Sequence, residues 1–155
     1  MITHPAMKRL VSIGALTCVV GALLTGCATS REVVDKPLEG TKWRLSQLNG
    51  AAVPAILASR PVDLQFDAAQ HQVSGSSGVN RIAGSYQLAG KRLSLGPLIS
   101  TRMAGTPEAM AFESAYLKAL GRVDEWVVVD GKLELLAGPE AVAAYMPWPE
   151  TVPKP

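Results

Sequence analysis

The side chains that could carry chemistry are few and scattered in this 155-residue chain. His71 is the one histidine downstream of the N-terminal apolar run, so a Ser-His-Asp set or a histidine metal site must be built on it alone. It follows Asp67 to Gln70 at a strand entrance, which predicts a solvated turn. Zinc needs three or four ligands, and a lone imidazole with dispersed carboxylates does not supply them. Asp124-Glu125 with Asp130-Gly131 lacks the alternating oxygen ligands of a calcium loop. A glycosidase pair could be picked from 13 acidic residues, but none is marked by apolar surroundings that would split two carboxyl pKa values. Gly75-Ser76-Ser77-Gly78 has the composition of a phosphate cradle, yet no lysine follows in the Walker position and the context reads as strand. The expectation is a protein with no catalytic residues, no metal and no cofactor, and so not an enzyme.

Asn80-Arg81 and Thr101-Arg102 stand out because each polar pair lies beside strongly apolar sequence. Two readings compete for them. In one, Asn80 sets a turn and the arginines satisfy carbonyls or carboxylates at strand ends. In the other, Arg81 and Arg102 line a concave surface that receives an anionic group on a ligand or partner. Trp43 and Trp126 sit on alternating segments and read as core aromatics, whereas Trp148 lies in a proline-rich tail, either an interaction anchor or an exposed tail residue.

The elements that must position these residues begin after a targeting segment. Lys8 and Arg9 precede the uncharged run Leu10 to Leu24, which is shorter than the roughly 20 apolar residues of a membrane span and ends in small residues. Leu24-Thr25-Gly26-Cys27 resembles the bacterial lipobox, implying cleavage before Cys27 and acylation of its thiol and amino group. Cys18 is a poorer anchor: Thr17 occupies the small-residue position, and cleavage there would leave Val19 to Leu24 as an apolar start. Three acyl chains, at about 0.8 kcal/mol per buried methylene, would make release negligible. Ala28 and Thr29 follow without an aspartate, the pattern that in two-membrane bacteria resembles export to the outer membrane. Translation could also begin at Met7, since the segment from there already reads as a complete leader. Beyond the leader no thiol remains other than Cys27, so disulfides and thiolate catalysis are excluded. Losing Lys8 and Arg9 leaves 13 basic residues against 13 acidic ones, too balanced for a nucleic-acid surface.

The expected organisation is a signal peptide over 1–26, the acylated cysteine and tether over 27–37, one domain over 38–146, and a tail over 147–155 holding Pro147, Pro149, Pro153 and Pro155. Within the domain, apolar residues alternate with period two between turn dipeptides. Trp43 and Leu45 precede Asn49-Gly50; Val62, Leu64 and Phe66 precede Asp67; Tyr86 and Leu88 face Leu93 and Leu95 across Gly90. Val123 to Val129, Asp130-Gly131 and Lys132 to Leu136 form the strongest hairpin signal, because Asp-Gly accepts the positive φ angles of a type I′ turn. Thr106-Pro107-Glu108 starts one helix and Gly121 stops it. Phe112, Tyr116, Ala119 and Leu120 are its core stripe, with Glu113 and Lys118 facing water. The predicted class is mainly β (α+β): seven or eight antiparallel strands in a small, partly closed barrel or strongly curved sheet, with one helix packed against it.

The order of these pieces resembles the META domain, also called the HslJ-type domain, of bacterial envelope lipoproteins. Leu38-Glu39-Gly40-Thr41-Lys42-Trp43 with Leu48-Asn49-Gly50 is similar to its opening strand and turn. Ser77-Gly78-Val79-Asn80-Arg81 is similar to its central signature, and Thr101-Arg102-Met103-Ala104, Trp126 and Leu133 to Leu135 complete the match. The family commonly has cysteines where this chain has Val79 and Gly105; if relatives join them, these two positions should be neighbours, with Cα atoms within about 7 Å. The resemblance implies a non-enzymatic binding or stability module, loosely linked to envelope stress. It would sit in the bacterial envelope, lipid-anchored at the outer membrane and facing the periplasm, with the membrane and an envelope protein as partners. The alternative is an inhibitor of a periplasmic hydrolase or a carrier of a small apolar ligand.

Overall fold

The computed structural model describes residues 37–148; Cys27, the expected leader, the expected tether up to residue 36 and the expected tail from residue 149 lie outside the described residues. The strands are β1 (Lys42–Leu48), β2 (Ala51–Ala52), β3 (Asp63–Asp67), β4 (Gln72–Ser76), β5 (Arg81–Ala89), β6 (Arg92–Leu95), β7 (Ile99–Ser100), β8 (Glu125–Val129), β9 (Lys132–Ala137) and β10 (Glu140–Pro147); the helix α1 is Pro107–Leu120.

Turn chemistry fixes the hairpins. Asn49-Gly50 and Asp130-Gly131 both hold positive φ angles, 48° and 76° in the first pair and 50° and 72° in the second, so β1–β2 and β8–β9 close on two-residue turns whose twist suits the flanking strands. Tyr86 pairs with Leu95 and Leu88 with Leu93, the register expected across Gly90. The Asp67 carboxylate accepts from the backbone N–H of Ala69 and Gln70 and folds the β3–β4 turn, which ends on His71 at φ 49°.

All neighbouring strands are antiparallel, in the order β10-β9-β8-β6-β5-β4-β3-β1, and β1 also pairs with β10, so eight strands form a closed barrel, with β2 and β7 as additions. This is the mainly β fold with one packed helix that the sequence predicts as a partly closed barrel or strongly curved sheet, and the ring is complete. Its closure uses Pro147, assigned by sequence to a solvated tail: Pro147 is the last residue of β10 opposite Trp43, and the following Trp148 N–H donates to the Lys42 carbonyl at 2.7 Å. A proline is tolerated at that end position, where its missing donor costs the ladder least.

The weakest seam lies between β6 and β8, which share only the pair Arg92↔Glu125. α1 lies in the connection from β7 to β8. Thr106 caps the helix by accepting from the Ala109 N–H, Pro107 opens it, and Gly121 ends it, as the sequence predicts. Tyr116, Ala119 and Leu120 are buried and Phe112 packs half-buried on the core. Trp43, Leu64, Phe66, Leu93, Leu133, Leu135 and Tyr145, all essentially inaccessible, fill the barrel. The Tyr116 and Tyr145 hydroxyls meet at 3.1 Å inside it, and burial pushes both phenols far above their usual pKa.

Candidate functional site

The helix face reading fails at one residue, and that failure locates the polar centre of the domain. Glu113, expected in water, is 5% exposed, and both of its carboxylate oxygens accept from Asn80 Nδ2 at 3.0 Å. Asn80 is itself buried. Its Oδ1 accepts from the Thr101 hydroxyl at 2.8 Å and from the Met103 N–H at 2.7 Å, and its backbone N–H donates to Ser77 Oγ at 3.1 Å. Thr101 Oγ1 in turn accepts from the Arg81 N–H. One amide therefore ties the β4–β5 loop, the β7–α1 connection and the middle of the helix together. The sequence predicts that Asn80 sets a turn; in the structure its side chain has the carboxylate of Glu113 as a partner. An apolar stripe three and four residues apart gives no warning that an acid sits inside it; the only clue is a carboxylate flanked directly by Phe112.

Val79 and Gly105, expected to be neighbours, are in contact. A Cβ built on Gly105 lies 3.6 Å from the Val79 Cβ and 3.0 Å from one of its methyls. That separation falls within the roughly 3.5–4.5 Å spanned by disulfides. Here a valine packed over a bare glycine backbone fills the same space.

Arg81 and Arg102 part company. Arg102 is exposed and lies outside the trough of about 440 Å³ that Arg81 lines on the outer face of the barrel. Lys42 of β1, Asp63 of β3, Ser74 of β4, Ala83 of β5 and Thr101 also face it. The trough exists because the outward positions of its central strands are small. On the inward side of β4, Gly75, paired with the buried Leu64 and Ile82, could not accept a side chain, since a Cβ there would stand 1.9 Å from the Asp63 carbonyl oxygen. Lys42 Nζ lies 3.5 Å from Asp63 Oδ2 and 4.4 Å from the centre of the Trp148 ring, so Trp148 is a rim residue held by a cation–π contact rather than a free tail aromatic. Burial raises the Asp63 pKa above its ordinary value, with Lys42 and Arg81 opposing that shift. The convergence of Lys42, Asp63 and Arg81 was not legible in the sequence: they come from three strands, and no local motif joins them.

A second cleft, about 840 Å³, lies by the β3–β4 turn and holds His71, Glu39, Tyr86, Leu88, Arg92 and Asp124. Its acids are engaged: the Tyr86 hydroxyl donates to Glu39, and both Asp124 oxygens accept from the Gly138 N–H at 3.0 Å. His71 is exposed and makes no side-chain hydrogen bond among the described residues; its ring centre stands 6.2 Å from that of Tyr86. Trp43 and Trp126 donate their indole N–H groups to the carbonyls of Leu38 and Gly90, the first fully buried and the second half-buried. No helix among the described residues is long and apolar enough to cross a membrane.

The META domain profile matches residues 36–147. The chain belongs to the META domain family. Among solved structures, an NMR structure of a protein from Burkholderia xenovorans is 30% identical, with a TM-score of 0.61 over 73% of this chain and 85% of that one. A second NMR structure, 22% identical over 70% of this chain and 90% of its own length, superposes with a TM-score of 0.56. A crystal structure of a duf4847 family protein from Bacteroides vulgatus ATCC 8482 is 13% identical, with a TM-score of 0.51 over 70% of this chain and 92% of that one. These last two share the fold alone. No curated protein matches the sequence. Within the META domain of this chain, Asn80 bonds Thr101, and Val79 and Gly105 are in contact beside it.

Proposed function

We propose that this chain is a lipid-anchored lipoprotein of the bacterial envelope, attached through Cys27 at the outer membrane and facing the periplasm, whose META domain acts by surface recognition and not by bond-breaking. The observation that carries the reading of the domain is that the barrel is closed and filled. Trp43, Tyr116, Tyr145 and Phe66 occupy its interior, and the concave polar surface lies outside, over β4 and β5. Recognition by such a surface needs a rigid frame, which the Asn80–Glu113 connection supplies. The exposed position of His71, whose side chain has no hydrogen-bond partner among the described residues, supports the non-enzymatic reading, because a general base needs a nucleophile within hydrogen-bond reach. The anchoring rests on Lys8, Arg9, the run Leu10 to Leu24 and Leu24-Thr25-Gly26-Cys27. A part in the response to envelope stress, through a protein partner, belongs to the same proposal.

Membrane fractionation with Cys27→Ser tests it. The wild type is expected in the outer-membrane fraction and crosslinked to a partner there, and the variant in the soluble periplasmic fraction. Wild-type chain found soluble with its leader intact refutes the anchoring. Hydrolytic turnover that disappears in His71→Ala refutes the non-enzymatic reading.

A further inference from the structure

The geometry points to the trough over β4 and β5 as an oxyanion-binding site, taking a carboxylate or phosphate group of a small ligand against Arg81, with Lys42 and Arg60 as flanking cations. This deepens the surface-recognition reading and rests on it.

Three observations combine. The first is charge. The trough continues into a neighbouring hollow of about 470 Å³ that shares Lys42, Asp63, Gly75 and Arg81 and adds Arg60, Met103 and Trp148. Three cations thus face one carboxylate, and Arg60 and Arg81 form no ion pair among the described residues. A guanidinium with its fork unused is suited to paired hydrogen bonding with a carboxylate or phosphate. The second is shape. Ser74 and Ala83 keep the floor low, while Ile99, 72% exposed, and Trp148 stand at its margins as apolar surface for the body of a ligand. The third is rigidity. The Arg81 backbone is fixed through its N–H to Thr101 Oγ1 and its carbonyl to the Thr101 N–H, and Thr101 is fixed by Asn80. The guanidinium therefore projects from a held strand end.

Asp63 sets the limit on what binds. Its side chain is 13% exposed, close to Lys42, and acts as a resident counter-charge that any incoming anion must face. Replacing it by a neutral isostere removes repulsion and leaves the cations in place. Removing Arg81 has the opposite effect.

The test is an NMR titration of the full-length labelled chain in detergent with inorganic phosphate and, separately, acetate at constant ionic strength. Saturable shifts are expected at the amides of Gly75, Ala83, Ser100 and Thr101. Arg81→Gln should raise Kd at least tenfold for both anions, and Asp63→Asn should lower it. Arg122→Gln, which breaks the distant pair with Glu140, should change nothing. Tighter binding of phosphate than acetate assigns the site to phosphate-bearing ligands, and the reverse to carboxylates. If Arg81→Gln loses its dispersed spectrum, Arg60→Gln and Asp63→Asn carry the test. Shifts spread evenly over all surface cations, or an affinity that Asp63→Asn leaves unchanged or weakens, overturn the proposal. Either result leaves the Cys27 anchoring untouched, because fractionation reads that independently.

Discussion

Joining positions 79 and 105 covalently tests both the packing of the motif and the energetics of the loop it closes. In Val79→Cys/Gly105→Cys, with Cys18 and Cys27 changed to serine so that only the new thiols count, the Cβ separation of 3.6 Å permits a disulfide without backbone movement. Gly105 lies outside the left-handed φ region, so a side chain there is not strained, and the crowding methyls of Val79 are gone. The closed loop holds about 27 residues, for which the chain-entropy relation gives a loss of about 12 cal/mol/K in the unfolded state, or about 3.5 kcal/mol at 25 °C. Losing the buried valine costs about 1 kcal/mol and replacing the glycine returns a similar amount, but both changes are present in the reduced protein too. The oxidised and reduced forms of one variant therefore isolate the crosslink. A domain of about 110 residues shifts by about 4 °C per kcal/mol, so the expected difference in Tm is about 15 °C. Thermal melts with and without reductant, together with thiol titration of the folded protein, read this out. Thiols that stay free in the folded state under oxidant, or a crosslinked form less stable than the reduced one, would refute the packing argument.

Asn80→Ala should cost about 3–4 kcal/mol in urea unfolding, because it strands the Met103 N–H and leaves the buried Glu113 carboxylate without its donor. Glu113→Gln should stay within about 1 kcal/mol of the wild type, since an amide still accepts from Asn80; a loss as large as that of Asn80→Ala would sink this account. Tyr116→Phe and Tyr145→Phe should each cost about 1–2 kcal/mol by orphaning the other hydroxyl, with the double variant recovering part of the loss in a mutant cycle. Asp63 gives a pH signature. Its native pKa is raised, so between its ordinary value of 3.8 and the native one the folded state holds more proton than the unfolded state, and stability falls as pH rises through that window. Asp63→Asn should lack this contribution, and identical pH profiles for the two proteins would rule it out.

What was legible in the sequence was local. Asp130-Gly131 and Asn49-Gly50 announce their hairpins because few residues accept positive φ, and Thr106-Pro107 with Gly121 bounds the helix because caps act within one turn. What was not legible required partners distant in the chain. The β1–β10 pairing joins Trp43 to Pro147, and β10 hides its alternation behind a register shift between Ala141 and Ala143 that buries Val142 and Ala143 side by side. Two short additions, β2 and β7, escaped because two residues carry no period. The trough is invisible for the same reason as the ring closure. Arg81 was singled out, but Lys42, Arg60 and Asp63 acquire meaning only once the barrel curls them around it.

The meeting of β1 with β10 also orders events in time. A chain growing from its N-terminus holds its first strand with one edge unsatisfied until residues beyond 140 are available, so the cylinder cannot be sealed on a partly made polypeptide. Closure must wait for β10, and the bare edge of that opening strand is the place where an interrupted copy would seize a neighbour.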